Sequence, residues 1–204
     1  MSTPSKIVCV GRNYVAHALE MGNDVPKEPM FFLKPPSSII RDGDAIVLHP
    51  ISTHIEFEGE IALVIGKRLT KATEEEAIAG IAGVVALNDV TARDLQRSDS
   101  QWSRAKGMDT FCPIGPESAA PADLSGITLI TRVNGEECQR ATAADMVFPI
   151  PMVISFISQF MTLEPGDIVA TGTPAGTKAL HPGDVVEVEL VGLSIVSNPV
   201  VAGT

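Results

Sequence analysis

The sequence has few cysteines, and those it has show no pairing pattern. Cys9, Cys112 and Cys138 are odd in number and far apart, and no two of them have a Cys-x-x-Cys spacing. This excludes a disulfide framework and a zinc knuckle, and it is typical of reduced thiols in a cytosol-like compartment. We therefore expect a cytoplasmic protein.

Long apolar segments and positive charge are scarce as well. No apolar run approaches the about 18 residues of a membrane-spanning helix, and the N-terminus shows no signal or transit pattern. The 15 Lys and Arg residues stand against 25 Asp and Glu, a formal net charge of −10. We therefore expect neither nucleic acid nor a membrane as a partner. A few cations gathered in one pocket would still let a small anionic substrate bind.

The rest of the composition is that of an ordinary globular protein. Of the 204 residues, 45% are apolar and 20% are charged, which predicts a single domain over residues 1–204. Many short strands, few helices and no regular strand–helix–strand alternation predict a mixed, β-rich α+β fold. The predicted elements include strands at 6–10, 30–33 and 81–87, a hairpin with an Asn134-Gly135 turn, a helix capped by Thr73, an apolar helix at 152–161 and an irregular loop at 98–116.

The most informative stretch is acidic. His54, Glu56, Glu58 and Glu60 alternate with other residues, so a strand here would place all four side chains on one face. Three carboxylates on one face repel each other unless a positive group lies between them. A divalent cation with oxygen ligands would satisfy them. A solvent-exposed acidic strand explains the same pattern.

Two further groups of residues carry chemistry. Residues 14–21 read as a helix with Asn13 as N-cap, ended by Gly22, and it places His17 and Glu20 on one face. A nearby carboxylate can orient a histidine and raise its basicity, although a surface pair looks the same in sequence.

Asp89 follows the predicted strand at 81–87 and shares a helical face with Arg93 and Gln96. An acid at the end of a buried strand must be paired, bound to metal or used as a helix N-cap, and from the residues alone the N-cap role is favoured.

Taken together, these residues resemble the fumarylacetoacetate hydrolase family, most closely its acylpyruvate hydrolase branch. The resemblance runs in order from about residue 5 to Pro199. It rests on five motifs: Val10-Gly11-Arg12-Asn13-Tyr14 with His17 and Glu20, Glu58-Gly59-Glu60, Asn88-Asp89-Val90-Thr91-Ala92-Arg93-Asp94, Lys106-Gly107 with Asp109-Thr110-Phe111, and Thr171-Gly172-Thr173-Pro174. It implies a β-roll or sandwich with a few short helices, in which a lid helix within residues 1–45 packs on the catalytic domain, and it implies a homodimer.

The resemblance also implies a site. Its predicted metal ligands, for Mg²⁺ or Mn²⁺, are Glu58, Glu60 and Asp89. Its predicted catalytic residues are His17, Glu20 and Lys106, and its predicted substrate-binding residues are Arg93, Gln96 and Thr173. His54 and Glu56 have no part in the family pattern, so we expect them to flank the site.

The reaction implied is hydrolysis of the C3–C4 bond of a 3-acylpyruvate, such as fumarylpyruvate or acetylpyruvate, to pyruvate and a carboxylic acid. The alternatives on the same site are decarboxylation of oxaloacetate and isomerisation of unsaturated 2-oxo diacids in aromatic catabolism. A binding protein without turnover is disfavoured, because it would need neither His17 nor Glu20. In every case the expected partner is a small anionic 2-oxo acid.

Overall fold

Two β-sheets form the framework in a computed structural model that describes residues 3–20, 22, 24 and 26–204. In chain order the strands are β1 Ile7–Gly11, β2 Met30–Lys34, β3 Ile39–Ile40, β4 Ile46–Leu48, β5 Ile55–Glu56, β6 Gly59–Ile65, β7 Ile81–Asn88, β8 Thr91–Ala92, β9 Cys112–Pro113, β10 Ser118–Ala119, β11 Thr128–Val133, β12 Glu136–Thr142, β13 Ile168–Ala170, β14 Val185–Leu190 and β15 Ser194–Ala202. The helices are α1 Val15–Glu20, α2 Glu74–Ala79, α3 Arg93–Ser98, α4 Ser103–Lys106 and α5 Ile150–Phe160.

The larger sheet has six strands in the order β10-β7-β6-β13-β1-β2, and the second has five in the order β12-β11-β14-β15-β4. Neighbouring strands are antiparallel except for the pairs β1–β13 and β15–β4. Two short pairs form separate two-stranded sheets, of which β3–β9 is parallel and β5–β8 is antiparallel. The strand-rich α+β fold expected from the sequence is confirmed.

The core explains why β6 is apolar along its whole length. Ile61 and Leu63 face a cluster that includes residues of the five-stranded sheet, among them Leu129 and Val188. The alternate side chains of β6 pack into a second cluster on the other face of the sheet. A central strand buried on both faces reads as a continuous apolar run, and its first residues therefore deliver Glu60 into a buried setting.

The alternation predicts a single strand for the acidic stretch, but the structure has two. The stretch breaks between β5 and β6, because β5 pairs with β8 whereas β6 pairs with β7. Gly59 begins β6 close to β11, where an added Cβ would lie 1.9 Å from Thr131 Oγ1. The break lets Glu56 and Glu58 contact one guanidinium, that of Arg93, at 2.7 and 2.5 Å.

Both N-cap predictions at the site are wrong. Helix α1 begins at Val15, and the Asn13 side chain bonds elsewhere, donating to the carbonyls of Phe148 and Thr171 and accepting from Phe148 N. Ala92, not Asp89, is at the N-cap position of α3. The Asp89 carboxylate is instead buried against two lysines.

Other local predictions hold in part or in full. The predicted end of the first helix at Met21 lies outside the described residues, but Gly22 has φ +69° and donates to Leu19 O, as a residue past a helix end does. The loop predicted as irregular contains α4 and β9. The Asn134-Gly135 hairpin and the Thr73 capping box are confirmed. None of the helices in the described residues is long and apolar enough to span a membrane.

Asn13 offers a direct test of the packing at the end of β1. Replacing Asn13 by Ala leaves the buried backbone groups of Phe148 and Thr171 without their partners, and each such group costs about 1–3 kcal/mol. We expect Asn13→Ala to lower the free energy of unfolding by about 3 kcal/mol or more in urea denaturation. The exposed amide Gln101 provides the control, because Gln101→Ala should leave the transition midpoint unchanged. A normal midpoint for Asn13→Ala would contradict this account.

Candidate active site

A cavity of about 430 Å³ gathers the predicted site residues. Its walls come from the segment after β1, from β2, from α3 and α4, and from the loop after β13. Of the nine residues predicted from the sequence, eight line it: His17, Glu20, Glu58, Glu60, Arg93, Gln96, Lys106 and Thr173. Asp89 lies behind Lys106, whose ammonium group it contacts at 2.8 Å.

The pairing of β6 with β7 brings the three predicted metal ligands together. Gly59 pairs with Asn88, and Asp89 N donates to Glu58 O at 2.8 Å, so the start of one strand meets the end of the other. One carboxylate oxygen from each of Glu58, Glu60 and Asp89 lies within 4.8 Å of the others, and all three residues are buried. The sequence prediction that these three lie together is therefore correct.

Cationic side chains balance two of these acids. Lys106 Nζ donates to Glu58 Oε2 at 2.6 Å and to Asp89 Oδ2 at 2.8 Å, and Arg93 Nη1 contacts Glu58 Oε1 at 2.5 Å. Burial alone would raise the pKa of Glu58, but the charges of Lys106 and Arg93 hold it at about 2. Burial opposes the charged form of Lys106 as well, yet Asp89 and Glu58 raise its pKa above the ordinary value. Lys106 is therefore an ammonium ion at neutral pH.

Glu60 differs from its two neighbours. Its carboxylate accepts a hydrogen bond from Gly172 N at 2.8 Å, and it forms no ion pair within the part of the chain that the structure describes. Burial and the charges of Asp89 and Glu58 raise its pKa well above the ordinary value. A divalent cation held by the three carboxylates would supply the missing positive charge. The donor set is made of hard oxygens, which suits Mg²⁺ or Mn²⁺.

His17 and Glu20 form the predicted pair on α1. His17 Nδ1 lies 3.2 Å from Glu20 Oε2, and the imidazole is buried at the cavity wall. A neutral ring that donates Nδ1–H to this carboxylate carries its lone pair on Nε2, where it can take a proton. Glu20 also accepts from Gly176 N, at 3.2 Å to Oε1. This contact ties α1 to the loop that follows β13.

The three predicted substrate anchors are already bonded within the protein. Arg93 contacts Glu56 and Glu58 and donates to Gln96 Oε1 at 3.0 Å. Thr173 Oγ1 donates to Gly59 O at 2.9 Å. All three side chains border the cavity, and their roles as substrate anchors stay predictions. Glu56 flanks the site through Arg93, as expected from the sequence.

Lys34 belongs to the site, although the sequence did not predict it. Its ammonium group is fully buried and donates to Asp89 Oδ1 at 2.6 Å and to the backbone carbonyl of Lys106. Phe32, two residues earlier on the same face of β2, places its ring centroid 5.1 Å from Lys106 Nζ. The only signal in the sequence was a lysine at the end of an apolar strand, just before Pro35. The pair Phe32 and Lys34 makes β2 a support for Lys106 and Asp89.

The unbalanced charge of Glu60 predicts that stability and metal binding respond in opposite ways to Glu60→Gln. The amide can still accept from Gly172 N, and it removes repulsion with Glu58 and Asp89. We expect the thermal midpoint in a chelator to stay unchanged or rise by about 2–4 °C. Mn²⁺ affinity in calorimetric titration should fall by roughly 100-fold, since one ligand is lost. The exposed Glu137→Gln should change neither quantity, and a Glu60→Gln variant that binds Mn²⁺ normally would contradict the assignment.

We expect a large loss of stability when Lys34 is replaced by Met. Lys34→Met keeps the volume of the side chain but removes one of the two lysines that neutralise buried Asp89. Breaking a buried pair in this way costs about 3 kcal/mol, measurable as a shift of the urea transition in metal-free protein. Lys178→Met is the matched control, because Lys178 pairs with Glu136 at the surface, and its transition should not move. Equal behaviour of the two variants would show that Lys34 does not hold Asp89.

Comparison with known proteins agrees with this site. Residues 6–201 match the family described as Fumarylacetoacetate (FAA) hydrolase C-terminal. The chain is 40% identical over 211 residues to the oxaloacetate tautomerase YisK of Bacillus subtilis (strain 168). The aligned region covers 97% of this chain and 70% of that protein. The chain is also similar to the solved structure of a 2-hydroxyhepta-2,4-diene-1,7-dioate isomerase from Mycobacterium marinum, with TM-score 0.90, 40% identity and coverage of 98% and 75% of the two chains. For a 5-carboxymethyl-2-hydroxymuconate delta-isomerase from Mycobacterium smegmatis the TM-score is 0.92 and the identity 42%. That match covers 99% of this chain and 80% of the other. The chain belongs to the fumarylacetoacetate hydrolase family of enzymes.

Proposed function

We propose that the protein catalyses a metal-dependent proton shift in a 2-oxo diacid, namely keto–enol tautomerisation of oxaloacetate or the related isomerisation of an unsaturated 2-oxo diacid. The observation that carries the proposal is the buried ammonium of Lys106 beside three clustered carboxylates, at a cavity wall that also presents His17. The named relatives support it, because each name describes a proton shift in a carboxylate substrate. This reading favours the isomerisation alternative drawn from the sequence over acylpyruvate hydrolysis. For oxaloacetate the sequence predicted decarboxylation, and tautomerisation takes its place here because of the named relative.

The residues that line the cavity divide the chemistry between the carboxylate cluster with Lys106 and the His17–Glu20 pair. A divalent cation on Glu58, Glu60 and Asp89 would polarise the 2-oxo group and its neighbouring carboxylate, which makes the C3 protons more acidic. Lys106 donates hydrogen bonds from a buried, charged group, so it can stabilise the negative charge that develops on the oxo oxygen. Its position is fixed by Glu58 and Asp89 before any substrate arrives.

His17 is the proposed base. It takes a proton from C3 on Nε2, while Glu20 holds the ring and stabilises the imidazolium that forms. The same nitrogen then returns the proton to the enol oxygen or to another carbon of the conjugated system. The contact of Glu20 with Gly176 keeps α1 against the cavity.

Hydrolysis of a 3-acylpyruvate is the second candidate, favoured by one observation. The His17–Glu20 pair is the arrangement that a general base for water would need. The proton shift needs the same base, so the pair alone does not separate the two reactions. The products do, because only hydrolysis releases pyruvate together with a second carboxylic acid.

The deciding experiment supplies Mg²⁺ or Mn²⁺ and follows two readouts, the ultraviolet absorbance of the oxaloacetate enol and the release of pyruvate. We expect fast loss of enol absorbance, abolished by a chelator, with little pyruvate from oxaloacetate, acetylpyruvate or fumarylpyruvate. His17→Ala should slow the enol reaction by about 100- to 10,000-fold. His49→Ala, at an exposed site, is the matched control and should retain full activity. Stoichiometric cleavage of an acylpyruvate without enol turnover would replace the proposal by hydrolysis, and pyruvate from oxaloacetate would replace it by decarboxylation.

A further inference from the structure

Arg12 lines the same cavity but has no role in the site described so far. Unlike Lys106 and Arg93, its guanidinium forms no ion pair or hydrogen bond with any residue that the structure describes. Among the acids that line the cavity, Glu20 is nearest to Arg12 in the sequence. Its carboxylate is already bonded to His17 and to Gly176 N. Arg12 is only half-buried, so its charge stays partly hydrated and costs little free energy. It is a cation at the pocket for which the described part of the chain supplies no counter-ion.

The backbone presents Arg12 from a fixed and unusual conformation. Its φ is +59°, in the left-handed region that non-glycine residues adopt at a cost of roughly 1–2 kcal/mol. The hydrogen bonds of the next residue, Asn13, hold the turn on one side. On the other side Gly172 approaches so closely that an added Cβ would lie 3.1 Å from Val10 O. A strained turn held by two neighbours fixes the direction in which the Arg12 side chain leaves the chain.

Trp102 and Arg97 line the same cavity as Arg12. Trp102 packs beside the preceding residue, since a Cβ added to Gly11 would lie 3.3 Å from its ring. Arg97, exposed at the last turn of α3, lines the same region, and it too forms no ion pair with a described residue. Lys106 and Arg93 are balanced by acids, whereas Arg12 and Arg97 form no ion pair with a residue in the described ranges.

We propose that Arg12 selects dicarboxylate substrates by binding the carboxylate that is remote from the 2-oxo group, with Arg97 adding a weaker attraction at the mouth. The proposal rests on the proposed function, because that function places the 2-oxo acid end of the substrate at the carboxylate cluster. A guanidinium offers two parallel hydrogen bonds to a carboxylate, which a monoacid cannot accept at this position. Arg12 is therefore a specificity-determining residue, and the reacting atoms lie elsewhere.

The test compares oxaloacetate with 2-oxobutanoate, in which a methyl group replaces the remote carboxylate. Binding of each acid to the Mn²⁺-loaded protein is measured by calorimetry, and proton exchange at C3 is measured by NMR in D₂O. In the native protein we expect tighter binding of the diacid. Arg12→Met should weaken oxaloacetate binding by roughly 10- to 100-fold and leave 2-oxobutanoate within about threefold. Arg12→Lys should recover part of the loss, and Arg97→Met should cost less than Arg12→Met.

The controls separate this inference from folding and from the proposed function. Met and Arg carry the same strain at a positive φ, so the thermal midpoint and Mn²⁺ affinity of Arg12→Met should match those of the native protein. If the native protein binds the diacid selectively through Arg12 but exchanges no C3 proton, the proposed function fails and the specificity assignment stands. If Arg12→Met weakens both acids equally, or weakens neither, the specificity assignment is overturned whatever the exchange shows.

Discussion

The structure depends on one constraint, the burial of several carboxylates at the end of two paired strands. Moving an unpaired carboxylate out of water is prohibitively costly, so positive groups must surround the cluster. They arrive from three different elements, β2, α3 and α4, and each of these elements packs where its cation meets an acid. At this end of the cavity four carboxylates face three cations: Glu56, Glu58, Glu60 and Asp89 against Lys34, Arg93 and Lys106.

That count also explains how an acidic protein can attract an anion. With all groups ionised, four negative and three positive charges leave a surplus of one negative charge, and a divalent cation changes the surplus to one positive charge. The formal charge of −10 is spread over the whole chain, whereas substrate responds to the local field in the cavity. Binding of such a cation would therefore remove the negative surplus and, under the proposed function, create the attraction for a 2-oxo acid in one step.

The sequence was sufficient where a feature depends on neighbours along the chain, and insufficient where it depends on distant partners. The Asn134-Gly135 turn and the Thr73 capping box are local, and both were predicted. The grouping of Glu58, Glu60 and Asp89 was also predicted, because ordered motifs mark it. The break after Glu56 was not, because strand pairing decides it and alternation does not show pairing. Lys34 was missed for the same reason, since its partner Asp89 lies 55 residues further along the chain.

One short loop, residues 171–176, supports several side chains of the cavity. Gly172 N donates to the carboxylate of Glu60, and Gly176 N donates to that of Glu20. Both glycines have positive φ, +96° and +105°, and a Cβ on Gly176 would lie 2.1 Å from Cys138 O. Asn13 joins the same loop to the turn that carries Arg12. Glu60, Glu20 and Arg12 therefore share one support. The proposed chemistry at C3 and the proposed choice of substrate thus depend on the same few backbone contacts.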